Sequence, residues 1–328
     1  MIKFSSILKD ELTSFLALRK VSNSESSYKS DKALLQNFDG YLCAISCTDK
    51  NLTEKQLSGW VHTLFGNSLT VANKISAIKI FLNQLSSYGI QCYIPPVPKI
   101  YDNYIPYIFS DTELGSIFHC VDNLKKSYKV HKNTLIHVEL SMILRLMYGC
   151  GLRIGETLSL KMVDVDLVSE VLTLKCTKGN KQRIVPMHPS LSIILEHYCM
   201  AMGIVGCPES YLFPTKDILE PVSQSNASDK FAIILEQAEI FLRGRKKHQR
   251  GPCLHCLRHV FAFKAFSNAE KNGKRIDDII PYLSIYLGHE SLRETEKYLK
   301  FSSELFPDAM KLFEQYTSQV FPEVNYDE

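Results

Sequence analysis

Residues 93–109 read YIPPVPKIYDNYIPYIF, and this stretch constrains the chain more than any other. Proline fixes φ, lacks a backbone donor and biases the residue before it away from helix. Pro95, Pro96 and Pro98 therefore force an extended connector between the segments on either side. A chain of 328 residues is long enough for two cores. The expected organisation is a helical domain over 1–95, a Pro-rich linker over 96–106, and a larger domain over 107–328 whose tail begins at about 302.

Apolar residues on both sides of the connector recur mostly at helical spacing. Leu34, Phe38, Tyr41, Leu42 and Ile45 form one stripe. Leu57, Trp60, Val61 and Leu64 form a second behind a capping box from Thr53 to Gln56. Ile75, Ile78, Leu82 and Leu85 form a third, which Gly89 ends. Beyond the connector, SDTE is another capping box, closing on Glu113. Residues 134–148 predict a strongly apolar helix broken by Gly149 and Gly151, with helix restarting at Arg153. Val171–Cys176 and Arg183–Val185 predict two short strands around a turn in which Gly179-Asn180 can take positive φ. Helices over 229–243 and 253–270 follow. The predicted class is mainly α with a small antiparallel β-sheet.

Composition narrows the setting. Hydrophobic residues make up 45% and charged residues 22%, the balance of a water-exposed globular protein. The N-terminus carries acids where an export signal needs an apolar core, and no segment is apolar enough to span a bilayer. Ten irregularly spaced cysteines suit reduced thiols, so a cytoplasmic location is expected. Charge is segregated: RGRKKHQR (243–250) holds five Lys or Arg and no acid, KCTKGNKQR (175–183) holds four and no acid, and the tail from 302 has a net charge of −5. Residues 1–100 carry a net +4. Such a distribution fits a surface that faces a polyanion, with Arg243, Arg245, Lys246, Lys247, Arg250, Lys181 and Arg183 as candidate DNA contacts.

Four stretches pair cationic or hydrogen-bonding side chains with rigid local geometry: YGCGLRIGE (148–156), TKGNKQR (177–183), HCLRH (255–259) and LGHESLRETEKY (287–298). Arg153 follows a Gly-bounded turn, and Glu156 lies one helical turn on, placed to hold the arginine or the helix start. Lys178 occupies a hairpin tip, and His255 and Arg258 are three apart on one helix face. Nine residues of straight helix rotate by about half a turn, so His289 and Tyr298 need separate elements. Gly288-His289 supplies a turn, and Ser291 with Glu294 a capping box for a fresh helix.

Two arginines, two histidines, a lysine and a tyrosine suit attack on a phosphodiester. Guanidinium groups bind the charged non-bridging oxygens bidentately. Tyr298 is a candidate nucleophile, a histidine can accept its proton, and Lys178 can protonate the departing oxygen.

GLRIGE, a hairpin lysine, HxxRH, LGH and a tyrosine nine residues further on resemble the tyrosine recombinase (phage integrase) family over about 104–300. The helices before the linker resemble that family's core-binding (SAM-like) domain. By this resemblance Arg153, Lys178, His255, Arg258, His289 and Tyr298 match the active-site set, with Glu156 as its supporting acid. It implies cleavage of DNA through a 3′-phosphotyrosyl link with a free 5′-hydroxyl, no metal or nucleotide cofactor, and a tetramer acting on two recombination sites. It also implies accessory DNA-bending proteins as partners and membership of a mobile element as one setting. LFPDAMKLFEQYTSQVF (305–321) is then a segment that docks on a neighbouring subunit or packs in cis.

Rival readings stand beside this one, among them topoisomerase behaviour at a single site. Cys253, His255, Cys256 and His259 prompt a zinc site, but four ligands within seven helical residues do not readily converge tetrahedrally. Asp164 and Asp166 prompt a metal nuclease. A DNA-binding or architectural protein that has lost turnover is the remaining alternative, although every expected catalytic position is filled.

Overall fold

The structure is a computed structural model that describes residues 3–100, 106–124, 135–175, 182–241, 251–296 and 298. The chain divides into two compact units, Met1–Asn103 and Tyr104–Glu328.

The first unit is built on α1 (Lys9–Ser22), α2 (Glu25–Ala44), α3 (Glu54–His62) and α4 (Ser68–Ser87). The periodic residues face one core, where Leu35, Phe38, Leu42, Leu57, Ile78 and Leu82 are buried with Leu8 and Leu12. Trp60 is the largest fully buried side chain there. Its ring meets Phe38 edge-on at 5.1 Å, and its indole N–H donates to Asn37 Oδ1 at 3.1 Å, so the one polar atom of the ring keeps a partner. The capping box at Thr53 forms: Gln56 N–H donates to the Thr53 hydroxyl and Thr53 N–H to Gln56 Oε1.

In the second unit α5 (Asp111–Asp122) starts at the Ser110–Glu113 capping box. α6 (Ile136–Cys150) is buried along most of its length and packs against neighbours on several sides, among them α5. It ends at Gly151, whose φ is +62°. A Cβ at Gly151 would lie 2.6 Å from the Phe261 ring, so both conformation and space require glycine. α7 (Ile154–Ser159) restarts helix with Arg153 as its N-cap.

Three strands then form an antiparallel sheet in the order β1-β2-β3, with β1 (Val165–Asp166), β2 (Val171–Leu174) and β3 (Arg183–Pro186). Leu174 pairs with Arg183; Lys178 and Lys181 lie outside the described residues. Strand β1 was not predicted, because VDVD alternates over too few residues to stand out. Its acids have structural tasks. Asp164 is buried, accepts Lys161 N–H and pairs with Lys175, while Asp166 accepts the N–H groups of Val168 and Ser169 in the turn.

The remaining helices are α8 (Pro189–Met202), α9 (Gln224–Gln237), α10 (His255–Lys271), α11 (Ile276–Leu287) and α12 (Leu292–Glu296). α9 begins five residues before the predicted 229, because Ser223 caps it by accepting Asn226 N–H at 3.2 Å. It also stops earlier, and Glu239 takes a φ of +57° just past its end. Arg243, Arg245, Lys246, Lys247 and Arg250 lie outside the described residues. Among the described residues no helix is long and apolar enough to cross a membrane.

Glu139 stands out in α6. It is fully buried, and neither carboxylate oxygen has a hydrogen-bond partner. Burial pushes its pKa up from 4.5 to about 8. A folded value above the unfolded one means stability is greatest below pH 4.5 and is lost as pH rises through about 8. Glu139→Gln should remove this dependence. Its unfolding free energy should match the parent's near pH 4.5 and exceed it at pH 9, by a margin on the order of a few kcal/mol; a difference that does not change across that range would refute the assignment.

Candidate active site

The site is organised around a buried carboxylate. Glu156, in the first turn of α7, is 3% exposed. Its Oε2 accepts the Arg153 backbone N–H at 2.9 Å, and its Oε1 accepts the Arg153 guanidinium at 2.8 Å. The same two oxygens receive a bidentate fork from Arg183, both bonds at 2.9 Å. Arg258 Nη1 stands 3.8 Å from Oε2. Burial alone would raise the Glu156 pKa, but donors from Arg183 and Arg153 outweigh it and hold the group down at about 2.

A second acceptor faces the same three guanidiniums: the C-terminus of α11. The last carbonyls of a helix lack intrahelical partners and carry its negative end. Arg183 Nε donates to Tyr286 O at 2.9 Å, and Arg258 Nη2 to Leu287 O at 2.7 Å. Arg153 donates to Leu287 O at 3.4 Å and to Gly288 O at 3.1 Å. Arg258 also donates to Gly151 O at 2.7 Å, which ties the broken end of α6 to the same knot. Gly288 ends α11 with φ +64°, and a Cβ there would meet Arg183 Nη1 at 2.7 Å.

Arg258 is 1% exposed, whereas His255, one helical turn before it on α10, is exposed. Burial first, and then the Arg153 charge, lower the Arg258 pKa to about 10, which still leaves it cationic at neutral pH. Three guanidiniums against one carboxylate leave an excess of positive charge that one helix terminus offsets only in part.

Tyr298 lies beside this cluster, 5% exposed, just past the end of α12 instead of on it. The Arg258 guanidinium is near enough to act on its phenol. Burial raises the phenol pKa, and the charges of Arg258 and Arg153 pull the other way without cancelling the rise. The His289 ring stacks near it, with centroids 5.9 Å apart and planes 21° apart. His289 Nδ1 pairs with the Thr295 hydroxyl at 2.6 Å, and Glu294 N–H donates to the Ser291 carbonyl at the start of α12. Burial, followed by the charges of Arg258 and Arg153, lowers the His289 pKa to about 3, so its imidazole is neutral and can exchange a proton or a hydrogen bond.

From sequence, His259 reads only as a zinc ligand. It lies against Tyr298, ring centroids 5.3 Å apart, and against His255 at 4.6 Å. Its position four residues after His255, on the same helix face, was the signal that could have found it. Arg183 also differs from expectation. With its fork on Glu156 and its Nε on Tyr286 O, its guanidinium is a half-buried brace of the site instead of a solvated surface cation. The structure thus brings together Arg153, Glu156, Arg258, His289 and Tyr298, with His255 reached through His259. Among the described residues no group of three or more His, Cys, Asp or Glu side chains is placed to hold a metal ion.

Residues 119–304 match the model of the Phage integrase family, which covers more than half of the chain. The tyrosine recombinase XerD of Rickettsia conorii is 30% identical over 273 residues, spanning 76% of this chain and 82% of its own length. The protein belongs to the phage integrase family. It is a tyrosine recombinase, an enzyme that breaks and rejoins DNA strands. Solved structures share the fold at low identity. The XerH recombinase bound to its difH substrate after cleavage superposes with a TM-score of 0.65 at 19% identity, covering 89% of this chain and 81% of its own. A lambda integrase dimer on a core site gives 0.63 at 14% identity, covering 88% and 94%.

Glu156 holds the guanidiniums only while ionised. Its folded pKa lies below the ordinary 4.5, so its contribution is present above pH 4.5 and is lost as pH falls through about 2. Glu156→Gln should lower stability at pH 7 by roughly 3–5 kcal/mol, the cost of breaking a buried ion pair, and the gap from the parent should close toward pH 2. Chemical denaturation at both pH values measures this, and a constant gap would mean that packing and not charge is what is lost.

Proposed function

We propose that the enzyme cuts DNA by attack of the Tyr298 hydroxyl on a phosphodiester, forming a 3′-phosphotyrosyl link and releasing a 5′-hydroxyl. The observation that carries this reading is buried Tyr298 set against the His289 ring and within reach of the charges of Arg258 and Arg153, in a guanidinium cluster that holds excess positive charge. Arg153 and Arg258 bind the non-bridging oxygens, whose charge grows in the transition state. His289 and His255 serve the phosphate or take the phenolic proton, and the raised Tyr298 pKa makes such an acceptor necessary. Glu156 and Arg183 position the two guanidiniums. Lys178 is the group that returns a proton to the departing 5′-oxygen. Rejoining reverses the sequence on a partner strand, with no oxidation and no net hydrolysis.

The first unit, with its net positive charge, clamps the duplex together with the basic run 243–250. Assembly as a tetramer on two sites is supported by relatives in fold, since a lambda integrase tetramer has been solved on a Holliday junction.

The test is a nicked suicide DNA substrate whose cut fragment diffuses away. The parent protein should accumulate a covalent protein–DNA adduct that Tyr298→Phe lacks. Arg153→Ala should slow adduct formation by about 10²- to 10³-fold while changing DNA affinity far less. DNA binding without any adduct would leave only a DNA-binding scaffold. Separately, replacing Arg243, Arg245, Lys246 and Lys247 by alanine should flatten the plot of log affinity against log salt by about 0.9 for each phosphate contact removed. An unchanged slope would take that run off the DNA.

A further inference from the structure

The N-terminal end of α10, with the residues just before it, holds a thiol pair that the recombinase chemistry does not use. Cys253 Sγ and Cys256 Sγ are 3.6 Å apart. Cys253 N–H donates to Cys256 Sγ at 3.4 Å, and Cys256 N–H donates to Cys253 O at 2.9 Å, so the turn already holds the sulfurs face to face. The two differ in access: Cys253 is exposed, while Cys256 is fully buried and belongs to the core cluster of the second unit. An exposed thiol at a helix N-terminus with a buried partner three residues on is the arrangement of a disulfide-exchange pair. We propose that Cys253 and Cys256 form a reversible disulfide, and that this modification switches the adjoining active site.

The chemistry needs a disulfide oxidant such as oxidised glutathione. The Cys253 thiolate attacks one sulfur of the oxidant, forming a mixed disulfide and releasing one thiol. Cys256 then gives up its proton and attacks the Cys253 sulfur, expelling the second thiol. Two protein thiols become one disulfide, and one small disulfide becomes two thiols. The Cys253 hydrogen bond, and then burial, raise the Cys256 pKa, which suits it to the later, resolving step. In a reducing compartment the pair rests as thiols, and thioredoxin-like reductants return it to that state.

The consequence for the site follows from which end can move. A disulfide is about 2.05 Å long, so the sulfurs must close by roughly 1.5 Å. Cys256 is fixed in the core, and two residues further on Arg258 is fixed by its 2.7 Å bonds to Gly151 O and Leu287 O. The displacement therefore falls on Cys253 and on the turn that leads into His255, whose ring packs on His259 and through it on Tyr298. Misplacement on the scale of 1 Å costs about 10²-fold in rate where a group must be aligned. This consequence rests on the proposed cleavage mechanism, whereas formation of the bond does not.

The test uses the full chain, equilibrated with oxidised and reduced glutathione, alkylated and cut with trypsin. Cys253 and Cys256 fall in one tryptic peptide, residues 251–258. After oxidation that peptide should escape alkylation and weigh two hydrogens less than its thiol form, and reduction should restore it. In parallel, adduct formation on the suicide substrate should fall by about 10²-fold on oxidation and recover with dithiothreitol, whereas Cys253→Ser should keep its adduct in both states. A peptide that stays fully alkylated overturns the proposal even if adducts form normally. A disulfide that forms with no change in adduct rate overturns the switch. If the reduced parent makes no adduct, the cleavage mechanism fails, and the peptide mass still decides whether the disulfide exists.

Discussion

Everything in the second unit that bears on chemistry hangs from the charge of one buried side chain. Glu156 sits where burial should neutralise it, yet remains ionised because Arg183, Arg153 and, at longer range, Arg258 surround it. Removing Glu156 would leave three guanidiniums without their shared counter-charge, and removing one arginine would leave fewer donors to offset the burial of the carboxylate. The carboxylate does not balance three guanidiniums. The remaining positive charge is what makes the site attractive to an anion.

The second support is backbone. Gly151 and Gly288 each end a helix in the left-handed region, and each leaves a carbonyl for an arginine. No side-chain acceptor is needed at these points, so guanidinium donors are held without adding negative charge that would compete with a phosphate. The two glycines also admit neighbours that a Cβ would displace: the Phe261 ring at Gly151 and the Arg183 guanidinium at Gly288. A short sequence such as GLRIGE or LGH is therefore a record of close approach as well as of conformation.

Much of this was legible beforehand. The capping boxes at Thr53 and Ser110, the break at Gly151 (Gly149, also expected to break the helix, stays within it) and the turn at Gly288-His289 are local signals, and local signals survive without tertiary information. The grouping of Arg153, Arg258, His289 and Tyr298 was foreseen from residue types and order. What sequence could not supply was direction. Arg183 looked like one more cation in a basic turn, because nothing local says that a strand residue reaches Glu156 and the end of α11 across the fold. His259 was masked by the neighbouring cysteines, which suggested metal. The two-residue strand β1 and the true start of α9 depended on pairing and on a single cap.

The link from α11 to Tyr298 has a further meaning. The carbonyls of Leu287 and Gly288 are gripped by Arg153 and Arg258, and the chain that carries His289, Thr295 and the phenol leaves from that same point. The tether of the tyrosine is thus anchored in the groups that would receive its target. Any swing of that segment, whether driven by a neighbouring molecule or by strain, pulls first on the anion grip. Access of the ring and readiness of the pocket are coupled through two peptide units, with no relay across the domain required.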